Sequence, residues 1–135
     1  MIKMTVNEYM VRDLLCPLSG TADKDIQIQM YNNIDSNNEN QIKNIITETI
    51  KPFYEKQNEE YKASAKRSLS YFLTTNRINY GYIFDSCLIA FDHPIDARDF
   101  FVWIWEILFS HESYYLPDIK NYIEIDDINE GNKYA

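Results

Sequence analysis

Asp92, Asp96, Asp99, Trp103, Glu106 and Ser110 follow one another at steps of four, three, four, three and four residues. On a helix such steps stay on one face. Paired carboxylates such as Asp92 and Asp96 are the raw material of general acid–base chemistry when a cleft encloses them. Without a cleft they are helix-capping and surface acids. With Trp103 among them they make an acidic strip carrying an aromatic anchor, which suits a basic protein partner. Glu106 sits among Trp105, Ile107 and Leu108, so on burial it would need a cation or hydrogen-bond donors. The structural alternative is that Trp103 packs inward and the acids pair with Lys62, Lys66, Arg67 or Arg98.

A second constellation spans residues 111–127, HESYYLPDIKNYIEIDD. Here Tyr114, Tyr115 and Tyr122 interleave with Glu112, Asp118, Glu124, Asp126 and Asp127. Tyrosine suits an interface because its ring buries apolar area while its hydroxyl keeps a polar partner. The bland alternative is a solvated C-terminal element packed by its Tyr rings.

Other chemistries find less support. Cys87 with His93 or His111 would supply a nucleophile and a base, but no local signature joins them, and a buried structural thiol is the simpler reading. The three glycines are scattered, which excludes a phosphate-cradling loop of known spacing. Asp35, Asn37 and Glu39 start like a calcium loop, but Asn40 stands at its glycine position and Ile46 at its closing carboxylate. Two distant His and two distant Cys make no zinc pattern. No cofactor or metal is expected, and the chain reads as no enzyme.

Charge points the same way. Residues 1–77 carry ten acidic and ten basic side chains, which cancel. Residues 78–135 carry eleven acids against Arg98, Lys120 and Lys133, so the net charge of −8 lies wholly in that stretch, with 13 of the 20 aromatics. At a pI near 4.7, binding to nucleic-acid phosphates is disfavoured. Attraction to a basic protein is favoured.

The elements that must position these residues read as helices. At 135 residues the chain is expected to form one globular domain over residues 1–135, with residues 126–135 as a frayed acidic tail. Three Gly and four Pro are too few for a turn-rich β-sandwich. Thr5 and Glu8 have the spacing of a capping box for a first helix that Pro17 stops. Ile26, Ile28 and Met30 alternate with polar residues, as in a strand. Ser36 and Glu39 mark a second capping box, before Ile42, Ile45, Ile46, Thr49 and Ile50 at helical spacing, a helix over residues 37–51 that Pro52 ends or kinks. Phe53, Gln57, Tyr61, Ala65, Leu69 and Phe72 then mark one face of a long helix to about Thr74, with Lys62, Lys66 and Arg67 on the solvated face. Residues 82–91 lean towards helix. The segment 94–110 is apolar almost all round and should be the central buried helix. Pro117 and Asp118 can open a short helix through Tyr122, and the alternative puts Ile123 and Ile125 on a terminal strand. The expected fold is mostly α, a single compact domain of five or six helices around a central apolar helix. The alternative is α+β with a small sheet, its strands at 26–30, within 80–91 and near 123–125.

No signal peptide or apolar run long enough to span a bilayer is visible in the sequence. Two scattered cysteines suit reduced thiols. Both observations lead to the expectation of a soluble, cytoplasmic protein with no membrane partner. In its small size, its acidity, its Tyr and Trp content over residues 78–135 and its want of catalytic motifs, the chain resembles the immunity proteins of bacterial toxin systems, of the contact-dependent growth inhibition and colicin-nuclease types. That resemblance implies a cytoplasmic inhibitor, or antitoxin, that binds one basic cognate toxin, often a nuclease, and blocks its active site. It implies nothing about architecture. The competing expectation is a helical adaptor or a phage-type mimic of nucleic-acid charge, and a small enzyme with an unrecognised site stands last.

Overall fold

The computed structural model describes residues 4–134, apart from the side chain of Lys133. The protein is mostly α-helical with a small two-stranded parallel sheet. Strand β1 (Met4–Asn7) leads directly into α1 (Glu8–Asp13). The Thr5–Glu8 capping box does not form. Thr5 is still in the strand, opposite Ile123. Asn7 is the cap instead, its side chain accepting from the Tyr9 N–H at 3.0 Å. Tight turns after α1 bury Leu14, Leu15 and Leu18.

The expected strand at 26–30 is a helix, α2 (Asp25–Tyr31). A strand needs a neighbour to receive its backbone groups, and these residues have none; helical bonds meet that need locally. The cost is visible, because α2 buries no residue and leaves Ile26, Ile28 and Met30 exposed.

Asn38, not Ser36, caps α3 (Glu39–Glu48), accepting from the Gln41 N–H at 3.1 Å. The expected helix over 37–51 breaks at Thr49, whose hydroxyl donates to the Ile45 carbonyl at 2.6 Å. The chain restarts as α4 (Ile50–Glu55). Pro52 sits in the first turn of α4, and having no N–H for the Glu48 carbonyl it accounts for the interruption one turn before it, at Thr49. The long helix expected from Phe53 is likewise divided. It runs as α5 (Glu59–Thr75), capped by Asn58 and closed by Asn76 in the left-handed region at φ 55°. Tyr61, Ala65, Leu69 and Phe72 are buried along its inner face.

Residues 82–91 are helical only in their first part, within α6 (Tyr80–Ser86). The central helix, α7, spans Ala97–Leu108 rather than 94–110. Pro94 does not open it. The Ile95 N–H is held by the Asn37 side chain at 2.8 Å, and the Asp96 carboxylate caps the helix by accepting from the Arg98 N–H at 3.1 Å. α7 packs against α3, α4, α5 and α6. Phe100, Phe101 and Ile104 are fully buried on it, and Phe84, Phe91, Phe100 and Phe101 meet in edge-to-face and tilted pairs. Such pairs add to the apolar burial that drives collapse.

Strand β2 (Tyr122–Ile125) pairs with β1 in parallel, Val6 opposite Glu124. Of the three strand segments of the α+β alternative, this is the one realised. The segment after it is docked, in place of the expected fray. The Asn7 amide donates to the Asp127 carbonyl at 2.8 Å. Glu130 is buried and accepts from the Ser64 hydroxyl at 2.7 Å. The Asn58 amide donates to the Tyr134 carbonyl at 2.6 Å. These bonds satisfy backbone and carboxylate groups that would otherwise hold water. Ala135 lies outside the described residues.

Candidate partner-binding surface

The N-termini of α3 and α7 lie side by side. Asn37 reaches Ile95 just ahead of the two helices, and Lys43, about one turn into α3, pairs at 2.6 Å with Glu106, about two and a half turns into α7. The helices therefore run in the same direction, and both begin with acids. Asp96 caps α7, Asp99 occupies its first turn, and Glu39 opens α3. The Asp99 carboxyl is pushed up in pKa by partial burial first, then by Asp96 and Glu39, with Arg98 opposing. The positive ends of the two helix dipoles make this grouping of acids tolerable.

Arg98 is the cation next in sequence to these acids, yet it is turned away. Its Nε donates to Asn76 at 2.7 Å, and its Nη2 donates to the Leu73 carbonyl at 2.9 Å and to the Tyr114 hydroxyl at 3.0 Å. Among the described residues no cation pairs with Asp92, Asp96 or Asp99. Between Asp92 and Asp96, Ile95 projects with 90% of its surface exposed. Pro94 behind it is buried, and Asn37 pins its backbone, so the side chain stands out from a fixed base.

Glu106 is exposed and pairs with Lys43, which Glu39 also reaches at 2.8 Å. None of the four cations named in advance serves it. Hydrogen bonds to Glu106 and Glu39 push the Lys43 pKa up. Trp103 is 8% exposed and belongs to the core. It is no surface anchor, because the apolar face of α7 wraps far enough to take the ring inward.

The second constellation is divided by the fold. Tyr114 is half-buried, its hydroxyl on Arg98 and its carbonyl accepting from Ser70 and Thr74. It works as a brace and is not free to anchor a partner. Glu112 pairs with Lys66 at 2.8 Å, and Glu124 with Arg77 at 2.6 Å and with the Tyr71 hydroxyl at 2.8 Å. Asp118 holds Asn121, and Asp127 accepts from the Asn129 N–H. Tyr115 and Asp126 are exposed. Asp96 and Asp99 are close enough to act on each other's charge, and Asp92 and Ile95, both exposed, lie just before them in the chain. Ile95 escaped the sequence reading; its signal was an isolated apolar residue between acids, just after a proline.

Among the described residues no hydrogen bond joins a thiol to an imidazole. Cys87 is buried with its thiol donating to the Ile83 carbonyl at 3.3 Å. His93 Nδ1 lies 2.5 Å from the Pro94 carbonyl, and His111 is exposed. Among the described residues no group of three or more His, Cys, Asp or Glu is arranged to hold a metal ion, and no helix is long and apolar enough to cross a membrane. No family model, no curated protein and no solved structure matches this chain, so its function has to be read from the residues themselves.

Proposed function

We propose that this chain is a non-catalytic acidic inhibitor that docks a basic protein partner on the surface around Ile95, in the manner of an immunity protein holding its cognate toxin. The observation that carries the reading is Ile95, 90% exposed between Asp92 and Asp96, with the neighbouring Arg98 withdrawn. An exposed apolar side chain flanked in the chain by acids that form no ion pair among the described residues offers a partner a small area to desolvate and a field that attracts its cations. The two free thiols, Cys16 and Cys87, support a cytoplasmic setting.

The test is kinetic. The product of the reading frame adjoining this gene is purified, and its association with the wild-type chain is compared with Asp96→Lys/Asp99→Lys and with Ile95→Ala. The charge reversal is expected to slow association at least about tenfold at low salt, because long-range attraction acts on the on-rate. Ile95→Ala is expected to speed dissociation, at a cost of about 2 kcal/mol for a true anchor. Unchanged rates in both variants, or no complex at all, would sink the proposal.

A further inference from the structure

At the other end of α7 the charge pattern inverts. A cleft of about 380 Å³ opens between α5, the start of β1 and the chain after α7. Its apolar walls come from Met4, Trp105, Leu116 and Tyr122, and Lys66 and Arg67 of α5 stand over it. This volume falls within the usual range for small-molecule sites, roughly 300–1,000 Å³, in which apolar walls bury the ligand and a few polar groups orient it.

The two cations differ in what they have left to offer. Lys66 is committed, to the Glu112 carboxylate at 2.8 Å and to the face of Phe109 at 4.9 Å. Arg67 spends only its Nε, which donates to the Thr5 carbonyl at 2.8 Å. That bond ties the guanidinium to β1 and fixes its plane. Its terminal nitrogens make no hydrogen bond or ion pair among the described residues. Among the described lining residues, two cations against the one carboxylate of Glu112 leave a single positive charge, on a chain whose net charge is −8. A planar guanidinium with its outer N–H groups unspent matches a carboxylate in a two-point contact. Apolar walls beside one surplus charge select a monoanion with a hydrophobic body.

We propose that this cleft binds a small amphiphilic carboxylate, aromatic or branched aliphatic, with its acid on Arg67 and its apolar body against Leu116, Tyr122 and the Trp105 floor. The basic face of α5 thereby has a role beyond solvation. The site is distinct from the acidic surface at the N-terminus of α7 and does not depend on it.

The probe is 1-naphthylacetate, followed by titration calorimetry and by indole fluorescence. Its neutral counterpart is 2-(1-naphthyl)ethanol, and inorganic phosphate tests whether charge alone suffices. The carboxylate is expected to bind with Kd below about 1 mM and at least about tenfold more tightly than the alcohol, with no binding of phosphate. Arg67→Gln should remove that preference. Ala63→Trp, at an exposed α5 position on the rim of the cleft, should block binding while the circular dichroism spectrum stays unchanged. Equal binding of acid and alcohol, no binding of either, or full binding by Ala63→Trp would overturn the site. If Arg67→Gln fails to fold, the acid–alcohol comparison and Ala63→Trp decide alone.

Discussion

Arg98 and Tyr114 hold each other. The guanidinium donates to the Tyr114 hydroxyl at 3.0 Å and lies 5.4 Å from the centre of its ring. The pair fixes the chain after α7 to the end of α5, because Arg98 also reaches the Leu73 carbonyl and Asn76. It also keeps Arg98 from forming an ion pair with the acids at the start of α7. Arg98→Met should therefore destabilise the fold by about 1–3 kcal/mol, since several acceptors lose a charged donor at once. Tyr114→Phe keeps the ring contact and should cost about 1 kcal/mol. Urea unfolding of the two variants measures both, and equal losses would show that the bonds from Arg98 to Leu73 and Asn76 contribute nothing beyond the one to Tyr114.

Phe100 and Ile95 should separate stability from binding. Phe100 is fully buried on α7, so Phe100→Ala should cost about 3–5 kcal/mol by leaving a cavity. Ile95 is almost wholly exposed, and Ile95→Asp should change stability by no more than about 0.5 kcal/mol. Thermal unfolding distinguishes them. A large loss at Ile95 would mean that its side chain is packed, not presented.

The phenol of Tyr80 donates to the Phe72 carbonyl at 2.7 Å. Burial is the main cause that pushes its pKa up to about 12, with Arg98 opposing. Burial likewise takes Tyr54 to about 12. An unfolded tyrosine ionises near pH 10. Between pH 10 and 12 the unfolded chain thus holds fewer protons than the folded one, and stability must fall as pH rises. Their contribution is complete below pH 10. Tyr80→Phe should flatten this decline when urea midpoints are compared from pH 9 to 12. A decline of unchanged steepness would mean that Tyr80 ionises as freely in the fold as outside it.

Glu130 joins the end of the chain to its beginning. Its two carboxylate oxygens accept from the Ser64 hydroxyl and from the Asn7 amide, and all three residues are buried. Glu130→Ala leaves two buried donors unmet and should cost about 1–3 kcal/mol. It should also expose residues 126–134 to protease well before the domain unfolds. If cleavage there is no faster than in the wild type, the tail is held by other contacts, such as Tyr134 against Tyr61.

The helical stripes over Ile42, Ile45 and Ile46, over Tyr61, Ala65, Leu69 and Phe72, and along α7 were legible because a period near 3.6 is a local property that burial must respect. So was a mostly α domain, while the strand at Ile123 and Ile125 was one of two alternatives for its segment. Helix starts were not. Thr5 and Ser36 had the right spacing, yet Asn7, Asn38, Asn58 and Asn79 do the capping. Pairing with β2 keeps Thr5 extended, and any of several neighbouring polar residues can cap equally well in isolation. α2 could not be told from a strand, because that choice depends on whether a neighbouring strand exists. The acids at 92, 96 and 99 were visible as a group, but their freedom from cations was not. It arises because Arg98 swings to Tyr114, 16 residues on. Trp103 and Tyr114 were offered as surface anchors, and packing across α5 and α7 turned both inward. Side-chain direction, ion pairing and exposure are set by neighbours distant in the chain, and only the folded molecule brings those neighbours together.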